Sequence, residues 1–160
     1  MDFDETLVST IADSLREKGH DIPRRLDEIA GLPYSAHESL RQDALAGKVH
    51  VHRMLGSQNA DVFTLLSRSS DKMLQNVYMM MMFGGPIVSL VLCFVQSWLW
   101  LIGVVAFPII GTRSLKRLYN QVILRAALSS ELAFCFLYGS GKIAVSSANF
   151  SDTYHAGKDA

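Results

Sequence analysis

The chain has 160 residues, with 15 basic against 15 acidic side chains. That length holds one domain, or a small domain with a membrane segment, and the balanced charge excludes the electrostatic footprint of a nucleic-acid binder. The charge is unevenly spread: residues 1–72 carry nine Lys and Arg against twelve Asp and Glu, residues 113–160 carry six against three, and residues 73–112 carry none. A chain in which 19% of residues are charged leaves forty consecutive residues without charge only where something excludes it, and lipid is the solvent that does so.

Cys93 and Cys135 make no disulfide framework and have no neighbouring ligand at metal spacing, which fits a reducing compartment. The opening Met1-Asp2-Phe3-Asp4-Glu5 is acidic where a secretory leader needs a basic segment followed by an apolar one, so insertion is expected to depend on the internal apolar stretch. Asn149-Phe150-Ser151 matches a glycosylation sequon, which matters only for a luminal tail.

In chain order, Leu7, Val8, Ile11 and Leu15 recur at helical spacing and predict an amphipathic helix from Asp4 to Lys18, ended by Gly19. Asp21 and Pro23 open a short second helix carrying Leu26 and Ile29. Ser35-Ala36-His37-Glu38 has capping-box spacing and opens a third helix through Leu40 and Leu45, stopped by Gly47. Residues 48–53 alternate polar and apolar, as a short strand does, with a continuing helix as the alternative over so few residues, and no sheet is expected from them. A helix starts at Asp61, and Asp71 is placed to cap the next one. Residues 1–70 are thus expected to be a small helical cytoplasmic domain.

As a straight helix the uncharged window would measure about 60 Å, twice the roughly 30 Å of hydrocarbon. The leading reading is a transmembrane hairpin over residues 71–112, with one span from Met73 to Val95, a turn at Gln96-Ser97 and a second span from Trp98 to Gly111. Trp98 and Trp100 then anchor one interface and Tyr78 the other. Arg113, Lys116, Arg117 and Arg125 lie after the window, while Arg68 and Lys72 precede it; the positive-inside bias puts both flanks, and so both termini, in the cytoplasm of a plasma or inner membrane. They also set topology or meet anionic headgroups. The alternative is a single span from Pro86 to about Phe107 after a break at Gly84-Gly85, which leaves Gln96 and Ser97 in mid-membrane. A re-entrant loop bending at Gly84-Gly85-Pro86 is a third form. Gly84, Gly85, Ser89 and Gly103 supply small surfaces for close packing between spans or subunits.

Residues 113–139 read as one or two amphipathic helices ended by Gly139, and residues 140–160 as a loose tail that holds a brief extended piece over Lys142 to Ser147. Residues 122–138 are apolar enough to suggest a third span. Arg125 and Glu131 oppose it, each costing about 2.5 to 3.5 kcal/mol at a helix centre, and an interfacial helix or a contact with the N-terminal domain is cheaper.

Other features suggest chemistry without supporting it. Met79 to Met82 point around a helix in steps of about 100° and cannot converge on one soft metal ion. His50 and His52 lack a third ligand at fixed spacing. Gly139-Ser140-Gly141-Lys142 lacks the first glycine and the hydroxyl residue of a phosphate-binding loop, where Phe136 and Ile143 stand. No catalytic constellation, metal site or cofactor fingerprint is found. The expected fold class is an all-α membrane protein, a two-helix hairpin with amphipathic cytoplasmic helices on both sides. The expected function is a non-enzymatic subunit or scaffold of a multiprotein membrane assembly, of which secretion and conjugation machines are examples. It would contact lipids and other membrane subunits or itself, and dock soluble partners through its cytoplasmic helices. The alternative is a small oligomeric channel, pore-forming toxin or transporter accessory protein.

Overall fold

Helical periodicity dominates the computed structural model, which describes residues 5–54, 60–148 and 152–154 and is 70% helical. The described helices are α1 (Glu5–Glu17), α2 (His37–Leu45), α3 (Ala60–Leu66), α4 (Ser69–Val95), α5 (Leu101–Ser129) and α6 (Glu131–Gly139), with 3₁₀ turns at Leu26–Glu28 and Trp98–Trp100. The all-α expectation needs one correction. Strands β1 (Val49–Arg53), β2 (Ile143–Ser147) and β3 (Thr153–Tyr154) form an antiparallel sheet in the order β1-β2-β3. Val49 pairs with Ser147, Val51 with Val145 and Arg53 with Ile143. The alternation in β1 is a genuine strand signal, but its partner lies about ninety residues or more away, beyond the reach of local pattern. The sequon and residues 155–160 lie outside the described residues.

The chain divides into two units, residues 1–66 with 123–160, and residues 67–122. In the first, α1 packs on α6, and Val8, Leu26, Leu40, Phe63, Phe134 and Ile143 are all fully buried. Helix α6 is buried from Ala133 to Tyr138, so a helix that is apolar all round is covered by protein here. The apolar run over 122–138 is therefore not one helix. It breaks at Ser130, which is extended at φ −143° and ψ 131°, and its second half contacts the N-terminal elements.

Glu131 occupies the first turn of α6, where the helix dipole favours an anion, and its Oε1 accepts from the Leu26 backbone N–H at 2.9 Å. His37 Nε2 lies 2.8 Å from the Ala127 carbonyl oxygen, and its ring meets Phe134 edge-on at 6.1 Å. Arg16 ties down the loop after α1 through its Nε to the Ile22 carbonyl at 2.6 Å and its Nη2 to the Pro23 carbonyl at 2.9 Å.

Local expectations meet mixed outcomes. The Asp21–Pro23 opening leads only to the 3₁₀ turn at Leu26–Glu28. The Ser35 capping box does not form: the N-cap of α2 is Ala36, with no side-chain cap. Gly141, not Gly139, closes α6. With φ at 65°, it donates to the Tyr138 carbonyl while Lys142 donates to that of Leu137, a Schellman motif that accounts for the second glycine of the phosphate-loop fragment. Gly139 serves packing instead, since a Cβ there would lie 2.8 Å from Pro23 Cδ and 3.0 Å from the Asp21 carbonyl oxygen.

Phe134→Ala removes a fully buried ring and is expected to cost about 3 to 5 kcal/mol, whereas Phe94→Ala, at a side chain 84% exposed, leaves the same unfolding transition nearly unchanged. Thermal denaturation of both variants in one detergent checks the contrast.

Candidate functional site

Helix α4 begins after Arg68, whose backbone N–H donates to Asp71 Oδ2 at 3.0 Å. Asp71 thus acts from the third helical position rather than as the N-cap. The helix passes through Gly84, Gly85 and Pro86 unbroken, so the break on which the single-span and re-entrant readings rest is absent. It ends at Gln96. Ser97 Oγ accepts from the Leu99 N–H at 3.4 Å, and the chain turns through Trp98–Trp100 into α5. Helix α5 in turn runs through Pro108 and Gly111 to Ser129, so the second span and residues 113–129 form one continuous helix. Each proline removes one backbone donor and leaves the neighbouring turns to hold the helix.

The two helices meet antiparallel, with matched levels. A Cβ on Gly103 would collide with Ser89 Oγ, and one on Gly85 would lie 2.7 Å from Phe107 Cγ. Further along, a Cβ on Gly111 would lie 3.0 Å from Met82 Cβ and 3.2 Å from the Tyr78 carbonyl oxygen. Thr112 Oγ1 donates to Met82 Sδ at 3.4 Å, and Gln75 Nε2 donates to Tyr119 Oη at 3.1 Å. Gly85, Ser89 and Gly103 are therefore brought together. Gly84 is not, since the nearest atom to a Cβ there is Met80 Cγ of its own helix at 3.8 Å. Gly111 belongs to the contact, although its sequence context marks only a helix end; its spacing from Gly103, eight residues or about two turns, is the available signal.

Around this seam the helices present an apolar surface. Met80, Ile87, Phe94, Trp98, Ile102 and Val105 are all more than 60% exposed. Both helices are long and apolar enough to cross a membrane, and only 6% and 11% of their most apolar stretches are buried, which is unlike the core helix of a soluble protein. Trp98 is 72% exposed, Trp100 is 37% exposed, and Tyr78 is half-buried. Arg113, Lys116 and Arg117 are exposed on α5; Arg125, half-buried, falls in the other unit. Residues 67–122 hold five basic side chains, Arg68, Lys72, Arg113, Lys116 and Arg117, and one acid, Asp71, all toward the end of the pair remote from the turn.

The other unit carries a cleft of about 380 Å³ lined by Arg25, Asp27, Ser35, His37, Glu38 and Glu131. Glu131 and His37 are engaged there with backbone groups, and among the described residues no His, Cys, Asp and Glu cluster is arranged to hold a metal. Burial, with Glu131 adding to it, pushes the Cys135 thiol up to about 12, which makes it a poor nucleophile. No protein-family model matches the sequence, and comparison with curated proteins and with solved structures returns no match.

Gly103→Val is expected to destabilise the helix pair by about 1 to 3 kcal/mol, and Gly84→Ala to leave it intact, as read by the midpoint of unfolding in mild detergent. Cys135 is expected to resist maleimide at neutral pH in the folded protein and to react once the chain is unfolded, with mass spectrometry of the labelled peptides as the check.

Proposed function

We propose that this chain is a non-enzymatic integral membrane subunit or scaffold. Its α4–α5 hairpin crosses the bilayer twice, and residues 1–66 with 123–160 form a domain on the cytoplasmic side that docks soluble partners. The observation that carries the two-pass reading is the pairing of β1 with β2. These strands flank the apolar segment in sequence and hydrogen-bond to each other, which supports a topology with both flanks on one side of the membrane. A single span would hold them apart by a bilayer. The exposed apolar surface of α4 and α5 supports insertion, because water would oppose so large an uncovered patch. The basic residues at one end support a cytoplasmic location for that end, in a plasma or inner membrane, and favour anionic headgroups there.

A role in packing against other membrane subunits, or a second copy, fits two candidate spans among the described residues and no charged residue between Lys72 and Arg113. The channel alternative loses support from Ser89, the polar residue deepest in the spans, whose side chain is fully buried against Gly103 rather than facing outward.

Solubilisation of native membranes in mild detergent, with size-exclusion chromatography and mass spectrometry of the eluted peak, is expected to recover the chain with other membrane proteins in fixed ratio. A monodisperse monomer without companions would sink the subunit reading. Protease added to one face of sealed vesicles should cut both flanks or neither.

A further inference from the structure

The matched levels of α4 and α5 give the hairpin a length. Through the Trp98–Trp100 turn and the start of α5 the uncharged stretch is residues 98–112, about 22 Å of helix, against roughly 30 Å of hydrocarbon in an ordinary bilayer. On α4 the charge-free stretch continues some nine residues further, back to Met73, but those residues run beside the basic end of α5. A Cβ on Gly111 would lie 3.2 Å from the Tyr78 carbonyl oxygen, Thr112 bonds Met82, and Gln75 bonds Tyr119. Arg113, Lys116 and Arg117 therefore fall level with α4 residues between Gln75 and Met82, where Tyr78 stands. Two independent markers, the first cations of α5 and the amphipathic Tyr78 of α4, thus lie at one height, and Trp98 and Trp100 mark the other.

Deeper immersion is opposed by the direction of the side chains. Side chains on a helix lean toward its N-terminus, so on α5 the Arg and Lys stems lean toward the membrane centre and must bend back to reach the headgroups.

We propose that the hairpin is matched to a thin hydrocarbon layer, about 22 Å between its cation and tryptophan belts, and selects short-chain phospholipid. This rests on the membrane reading above. Purified full-length protein is offered vesicles of phosphatidylcholine with myristoleoyl, oleoyl or erucoyl chains, and flotation measures incorporation. Trp98 and Trp100, the chain's two tryptophans, report the depth of the turn through quenching by brominated lipids. The expected result is about tenfold greater incorporation into myristoleoyl than erucoyl vesicles, with shallow quenching in the former. The triple variant R113L/K116L/R117L lengthens the uncharged stretch of α5 and should move the optimum to longer chains, which general ease of insertion into thin bilayers would not do. Equal incorporation across the three lipids, or a triple variant with unchanged preference, overturns the proposal. No flotation with any vesicle, with tryptophan emission still water-like, overturns the membrane reading itself.

Discussion

The domain outside the hairpin depends on the chain turning back at Gln96 and Ser97. Its sheet joins β1 to β2, and its core joins α1 to α6, so neither half is complete until the intervening 56 residues have returned. Close approach along α4 and α5 makes that return possible. Where Ser89 meets Gly103 and Gly85 meets Phe107 there is no room for another methyl group, so the glycines let the partner side chains close onto the helix backbone. Without that seam, β1 and β2 would face the entropy of closing a long unstructured loop.

One helix carries an exposed apolar stretch and a buried one. From Leu101 to Ile110 most of α5 exposes its apolar side chains, whereas Val122, Ile123, Ala126 and Ala127 on the same helix are buried. Composition alone does not separate these stretches, since both are rich in aliphatic residues. The charges between them do, because Arg113, Lys116 and Arg117 end the stretch that is long and apolar enough to cross a membrane. Beyond Ser130, Glu131 no longer counts against burial, because a backbone N–H and a helix N-terminus compensate its charge. Burial in protein with partners supplied is a different matter from burial in lipid without them.

The uncharged window over residues 73–112, the turn at Gln96-Ser97 and the helices starting near Glu5, His37 and Ala60 are all legible in sequence, because each is written in local periodicity or in the absence of charge. Less legible is the role of individual small residues. Gly84 and Gly85 are adjacent and identical, yet they stand about 100° apart around α4, and only Gly85 faces the partner helix. Gly111 reads as a terminus because glycine usually ends a helix, but here the space it leaves is filled by Met82 and the Tyr78 carbonyl. The Ser35 box has the right spacing but the wrong start: α2 begins after Ala36, and a cap displaced by one residue satisfies nothing.

By itself the sequence determined that forty residues exclude charge, that they are too long for one straight span, and that basic residues bound them on both sides. These are properties of composition and length, which no tertiary contact alters. Only the tertiary structure decided that 49–53 is a strand, that 131–139 is buried in protein, and that both flanks build one domain. Each of these depends on a partner far away in the chain, and the free energy that selects it, from hydrogen bonds across a sheet or apolar surface covered by a remote helix, has no local signature.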